Sequence, residues 1–335
     1  MKNWSETQTL FDVLHHRLAA GESAALATVI LIAGSTYRRP GAKLLVTADG
    51  VLRGNISGGC LEQDVRERAL HVLATGKALQ AHYDTGDSDD ELWGMGLGCN
   101  GQVDIFIHPV TPADLATVID PACQALADAR VFGLRTTLTG PQAGRLQIDY
   151  EATGLVPVTT LTAGEFREQL VPPPMLWVCG AGDDAIPLVD LAATAGFRVA
   201  VLDHRAAFLA AERFPAARWR QQVQPAEWTL PAAAQGPHLA VVKTHNLSHD
   251  TAWVKQWLQT DATYIGLLGP GARRDELMRL LGVLPSATLF GPAGLDIGGE
   301  GPEQVALSIV AEALAAYHQR TGGHLRDRRE AIHES

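Results

Sequence analysis

MLWVCGAGDDAIPLVDLAATAGFRVAVLDHR, Met175 to Arg205, decides the fold of the second half of the chain. Met175–Cys179 is a short apolar run, the pattern of a parallel strand covered by helices on both faces. Gly180, Gly182 and Ala185 follow as G-x-G-x-x-A. In a nucleotide-binding βαβ unit the first glycine makes the tight turn and the second lets a pyrophosphate approach the backbone. The third small residue lets helix and strand pack closely. From Asp184 the residues Ile186, Leu188, Val189, Leu191 and Ala192 recur at helical spacing, and Gly196 stops the helix. Arg198–Leu202 reads as the second strand, and Asp203 ends it where an acid holds ribose hydroxyls, about 20 residues beyond the glycines. Asp183 and Asp184 suit the helix dipole but repel a phosphate, and Arg205 offsets that or accepts a 2′-phosphate.

The pattern continues downstream. Leu239–Lys243 reads as a strand ending in Thr244-His245-Asn246, and Trp253, Val254, Trp257 and Leu258 mark a helix whose tryptophan stripe belongs to the core. His245 thus sits at the carboxyl end of a strand, where open α/β sheets keep their ligands. Thr263–Leu268 is a strand leading into GPGARRDEL, where glycine, a helix start and Arg273 together suit an anionic group. Gly291–Gly301 is loop, and Pro302–His318 is the last helix, with proline at its first position. Strands alternating with helices predict a Rossmann-like domain with a parallel sheet over residues 175–320, and residues 321–335 a flexible charged tail.

Upstream, residues 1–150 predict a mixed α/β domain. Thr7–Ala20 and Leu61–Thr75 have helical spacing. Ala24–Ile32, Lys43–Thr47, Val51–Ile56, Ala78–Asp84 and Val103–Pro109 read as strands, with a hairpin turn at Asp49-Gly50. Residues 85–101 are too rich in Gly and Asp for regular structure, Pro112–Arg130 reads as one helix, and Val131–Tyr150 as a strand pair. Residues 151–174 end in three prolines and read as a stiff linker.

Three glycine-bearing loops of this half are candidate sites. GSTYRRPGAK gathers Arg38, Arg39 and Lys43 as an anion-binding strand end would, and a solvated basic loop is the plainer alternative. In GNISGGCLEQD, Gly58 and Gly59 precede a helix, so free backbone N–H groups point at whatever fills the loop. Cys60 stands near that N-terminus, a setting that favours thiolate, and a buried thiol on a tight turn is the plainer alternative. GMGLGCNG sets Cys99 between glycines.

Composition bounds the function. The 335 residues have room for about two domains. A net charge of −10 argues against non-specific binding to nucleic acid or an anionic membrane. No apolar run reaches spanning length and no signal-peptide pattern opens the chain, so the expected location is cytoplasmic. Cys60, Cys99, Cys123 and Cys179 lack close pairing spacing and fit reduced thiols. Ser-His-Asp order, P-loop and HExxH are absent from the sequence.

GSTYRRPGAKLLV, GNISGGCLEQDV and GLGCNGQVDIFI resemble the first domain of the XdhC/CoxI family. VCGAGDDAIPLVDLAATAGFRVAVLDHR, YIGLLGPGARRDEL and PAGLDIGGEGPEQVALSIVAEALA resemble its Rossmann-type second domain. The resemblance implies an accessory chaperone more than a turnover enzyme. Such a protein binds the molybdenum cofactor (molybdopterin) transiently and supports its sulfuration by a cysteine desulfurase. It then inserts the cofactor into apo xanthine dehydrogenase or a related molybdenum hydroxylase, and the family is dimeric. Carried over onto this sequence as cofactor contacts are Ser57, Gly58, Gly59 and Cys60 with Arg38 and Lys43 beside them, Cys99, and, as contacts of nucleotide type, Gly180, Gly182, Asp203 and Arg205, joined by His245 and Arg273. The Rossmann half is expected to hold the phosphate or nucleotide end, with a dinucleotide as an alternative occupant. Where the family often has T-H-x-H, this chain reads Thr244-His245-Asn246-Leu247, leaving His249 as the next histidine. Two other readings stay open: an NAD(P)-dependent oxidoreductase using Gly180–Arg205, and a thiol-dependent transferase using Cys60.

Overall fold

A computed structural model describes residues 2–34, 38–84, 101–150, 154, 156–282 and 286–328. The chain divides into two units, Met1–Pro172 and Pro173–Ser335. No helix among the described residues is long and apolar enough to cross a membrane.

The first unit opens with α1 (Lys2–Ala19), β1 (Ala24–Gly34), β2 (Lys43–Thr47), β3 (Leu52–Gly54), α2 (Glu62–Thr75), β4 (Leu79–Asp84) and β5 (Gly101–Val110). The strands form an antiparallel sheet in the order β3-β2-β1-β5-β4. Alternation along β1 places Ala24 and Leu26 on one face, against Leu10, Phe11 and Leu14 of α1. Ala25, Ala27 and Val29 face the other way, against Val65, Ala69 and Val72 of α2. Helices on both faces explain why Ala24–Ile32 is apolar but for Thr28, itself buried. The expected helix Pro112–Arg130 is present over residues 112–127 with changing winding: a 3-10 turn (Pro112–Asp114), a π turn (Leu115–Ile119) and α3 (Asp120–Ala127). Pro121 lacks the N–H that one continuous helix needs there.

A second antiparallel sheet, ordered β7-β6-β9-β8, comprises β6 (Phe132–Thr137), β7 (Leu146–Asp149), β8 (Thr159–Leu161) and β9 (Glu165–Leu170). The interval 151–174, expected as linker, therefore carries two strands. Its inward-facing residues on β9 are Phe166, Glu168 and Leu170, and the glutamate in the middle hides the period-two apolar pattern. That glutamate is buried because Lys43 of β2 meets it: Lys43 Nζ lies 2.6 Å from the Glu168 carboxylate and donates to Gly41 O at 3.0 Å.

The second unit contains β10 (Met175–Cys179), α4 (Ala185–Thr194), β11 (Arg198–Asp203), β12 (Trp219–Gln222), β13 (His238–Val242), α5 (Leu247–Trp257), β14 (Tyr264–Leu267), α6 (Gly271–Leu281), β15 (Leu289–Phe290) and α7 (Gly301–Tyr317). Its sheet is parallel throughout, in the order β12-β11-β10-β13-β14-β15. This is the strand order of a dinucleotide-type Rossmann fold, with the switch point between β10 and β13. α4 and α7 cover one face. The other carries α5, α6 and a tryptophan core of Trp177, Trp228, Trp253 and Trp257. β12 escapes sequence reading because it is a polar edge strand, WRQQ, with three exposed residues.

The Lys43–Glu168 pair yields a first prediction. Removing one member of a buried ion pair strands the other charge and costs about 3–5 kcal/mol. Glu168→Ala should lower stability by roughly that amount in urea melts followed by far-UV circular dichroism, and Lys43→Met with Glu168→Leu should recover most of it. Equal losses from the single and the double change would show that the pair is not what the position requires.

Candidate functional site

The carboxyl edge of the parallel sheet is built by four segments. The turn after β10 carries Gly180 and Gly182. Gly180 has φ +117°, and a Cβ there would meet Lys243 O at 2.7 Å, so glycine lets this turn pass close under the end of β13. Gly182 has another neighbour: a Cβ there would meet Asp184 Oδ1 at 2.8 Å. The carboxylate of Asp184 thus lies over the glycine, in the space a pyrophosphate takes in a dinucleotide site.

Asp184 is held there from β13. Lys243 Nζ lies 2.6 Å from Asp184 Oδ1, and His245 Nε2 lies 2.9 Å from Oδ2. The Lys243 side chain is only 2% exposed. His245 itself is in the left-handed region, φ +59°, a conformation costly for a residue with a Cβ. Burial pulls the Lys243 ammonium below its ordinary value, against the attraction of Asp184. For Asp184, burial pushes upward but is outweighed by Lys243 and then His245, so its carboxyl titrates below the usual range.

Asp203 is likewise committed. Its Oδ2 accepts from Ala181 N at 2.8 Å and from Arg205 Nη2 at 2.9 Å, while Oδ1 accepts from Arg205 N and Nε, each at 2.9 Å. Asp203 and Arg205, expected to serve a ribose and its phosphate, thus serve one another. A dinucleotide in the usual pose would have to displace the Asp184 carboxylate from over Gly182 and Arg205 from Asp203.

Next to this loop lies a cavity of about 320 Å³. Leu188, Leu268, Val305 and Ile309 form its apolar walls, and Asp184 and Lys243 are its charged groups. Its position at the strand ends, beside the switch point, is where open α/β sheets bind ligands. Lys243 was legible only as the end of an apolar run, LAVVK. A lysine closing a buried strand at the carboxyl edge is the signal that marks it.

Other expected contacts are scattered or engaged elsewhere. Arg273 Nε donates to Asp250 Oδ2 at 3.0 Å. The fully buried Asp250 also accepts from Thr244 N and Oγ1 through Oδ1. Gly269, φ +126°, makes room for that arginine, since a Cβ would meet Arg273 Cδ at 2.7 Å. His249 does not join His245; its ring packs edge-on against His204 at 4.6 Å. Cys179 is buried, takes the Trp257 indole N–H at 3.3 Å, and its thiol is pushed far up by burial.

In the first unit, Arg38 makes a two-pronged pair with Glu6, and Lys43 is consumed by Glu168. The loop before α2 is closed by its own side chains. Ser57 Oγ accepts from Gly59 N at 3.1 Å and Leu61 N at 3.2 Å and donates to Glu62. Glu62 in turn accepts from Ile56 N and Ser57 N. Cys60 is half-buried beside this loop. Gly59 has φ +111°, which favours glycine, whereas Gly58 has an ordinary φ, and a Cβ placed there would meet nothing within 4 Å. Among the described residues nothing asks for glycine at Gly58. Cys99 lies outside the described residues.

The Asp203 cluster generates a second prediction. Its carboxyl is held at about 2: burial acts upward and is outweighed by Arg205 and the two backbone N–H groups. An unfolded aspartate titrates near about 3.9, so the stabilisation is complete above that pH and is lost as pH falls through the folded value. Asp203→Asn should cost roughly 2 kcal/mol at neutral pH in urea melts followed by tryptophan fluorescence. The gap to wild type should close between about pH 4 and pH 2. A gap that ignores pH would remove the carboxylate from the explanation.

The sequence pattern described as the XdhC Rossmann domain matches residues 176–313, and that of the XdhC and CoxI family matches residues 17–84. A Bacillus subtilis protein described as a probable xanthine dehydrogenase subunit is 35% identical over 91% of this chain and 96% of its own length. The Escherichia coli molybdenum cofactor insertion chaperone PaoD is 24% identical over 95% of this chain and 94% of its own length. A crystal structure described as a xanthine dehydrogenase from Bacillus halodurans superposes with a TM-score of 0.74 at 26% identity, covering 93% of this chain and 96% of that one. With both domain patterns in order and a 35% identical relative matched nearly end to end, the chain belongs to the XdhC and CoxI family.

Proposed function

We propose that this protein is an accessory chaperone that receives the molybdenum cofactor, keeps it during sulfuration by a cysteine desulfurase, and inserts it into an apo molybdenum hydroxylase of the xanthine dehydrogenase kind. The observation that carries this reading is the likeness, over 95% of this chain, to a relative named for molybdenum cofactor insertion. The cofactor is cargo, bound and released, so the site has to hold it without fixing it. A homodimer in the cytoplasm completes the proposal.

The geometry weighs against the oxidoreductase reading. Asp184 lies over Gly182 where a phosphate would approach, and Ala181 N and Arg205 take the Asp203 oxygens that a ribose would use. For the cargo, the Gly58-Gly59 turn offers backbone that a ligand can approach, since a side chain at Gly58 would meet no neighbour among the described residues. Cys60 beside it is the thiol closest to that approach in sequence. Arg38 and Lys43 are already neutralised by Glu6 and Glu168.

The test is binding of purified molybdenum cofactor to the full chain, wild type beside Cys60→Ala and Gly58→Val, followed by transfer to an apo xanthine dehydrogenase. Wild type should bind one cofactor per chain and restore the client's activity. Gly58→Val should fold normally and bind at least about ten-fold more weakly, the loss expected when a close backbone contact worth more than about 1.4 kcal/mol is blocked. Absence of cofactor binding together with retention of NAD(P) would overturn the chaperone reading in favour of the oxidoreductase.

A further inference from the structure

The cavity at the carboxyl edge of the Rossmann unit has apolar walls and a charged end. Lys243 and Asp184 cancel one another there, so the pair itself presents no net positive charge to a phosphate, and the carboxylate repels one. Capacity for hydrogen bonding nevertheless remains. A carboxylate has about four lone-pair sites, of which Lys243 and His245 address two. An ammonium has three donors. Apart from the Asp184 contact, the buried Lys243 Nζ has no acceptor among the described residues. The space, about 320 Å³, is at the lower end of the range of small-molecule pockets, about 300–1,000 Å³. It suits one ring system and is small for a whole dinucleotide.

We infer that this cavity takes the 2-amino-4-oxo edge of a neutral fused heterocycle, the edge shared by pterin and guanine. The paired N–H groups of the ring would lie on the Asp184 carboxylate, and the ring carbonyl oxygen would accept from Lys243. Leu188, Val305 and Ile309 would cover the ring faces. The chaperone reading enters at one point alone, the choice of pterin over guanine. The inference also reverses an expectation from sequence: the Rossmann unit receives the ring end of its ligand, and the phosphate end is held outside this cavity.

The experiment titrates the full chain with pterin, lumazine and guanosine, following pterin fluorescence and displacement. Lumazine replaces the 2-amino group by a carbonyl and so turns an acceptor toward Asp184. Wild type should bind pterin or guanosine at one site per chain and bind lumazine about ten-fold or more less tightly, as a lost hydrogen bond to a charged group demands. Asp184→Asn should abolish that preference, because an amide can serve either edge. Val305→Trp, which leaves the ion pair in place and fills the cavity, should abolish binding of all three while circular dichroism stays that of wild type. Tighter binding of guanosine than of pterin would identify a guanine nucleoside as the source of the edge. No binding of any ring, or equal affinities in wild type, Asp184→Asn and Val305→Trp, would overturn the inference. The two proposals fail separately. Intact cofactor bound without competition from pterin would remove the cavity inference alone, and ring binding without cofactor binding would remove the chaperone reading alone.

Discussion

A lysine ammonium almost withdrawn from water has to be met by an anion, and at Lys243 the anion is Asp184. Much of the Rossmann edge follows from that requirement. Asp184 belongs to the start of α4 and Lys243 to the end of β13, so the pair ties the first crossover to the strand across the switch point. A Cβ at Gly182 would meet that carboxylate at 2.8 Å, so a side chain there competes with the ion pair. His245 adopts its left-handed backbone while placing Nε2 on the second carboxylate oxygen. The glycine fingerprint survives in this chain, but its open space is used internally.

The same constraint recurs across both units. Arg38 meets Glu6, Lys43 meets Glu168, Arg205 meets Asp203 and Arg273 meets Asp250. Each of these four basic residues looks, in sequence, like a contact for an anionic cofactor. In the structure each is an internal fastener, two of them joining segments more than thirty residues apart. A net charge of −10 is consistent with this: acids exceed bases, and the bases at the candidate sites are already matched. On the proposed reading, recognition of a ligand falls to backbone, to apolar walls and to hydrogen-bonding edges.

Legibility in the sequence was uneven for physical reasons. The parallel sheet was readable from Met175–Arg205 because strand, glycine turn, helix and strand are all local patterns. β2 was readable to its ends, Lys43–Thr47, because it is flanked by glycine and a D-G turn. β9 was not, since its inward face contains a glutamate whose partner lies 125 residues away. β12 was missed because an exposed edge strand needs no apolar residues. At the strand ends the turn was legible, and the side-chain pairings were not. Gly180 was rightly read as a tight turn, whereas the pairings of Asp203 with Arg205 and of Lys243 with Asp184 depend on how the strand ends converge.

The tryptophans of the second unit have an optical consequence. Trp177, Trp219, Trp228, Trp253 and Trp257 surround one another at ring separations of 4.5 to 5.9 Å, close enough to exchange excitation. Among the described residues of the first unit, Trp4 stands alone, against Phe132. Intrinsic emission is therefore weighted toward the Rossmann core, while far-UV ellipticity samples both units. Two units with separate cores need not melt together, and a fluorescence curve alone would describe half of this chain as though it were the whole.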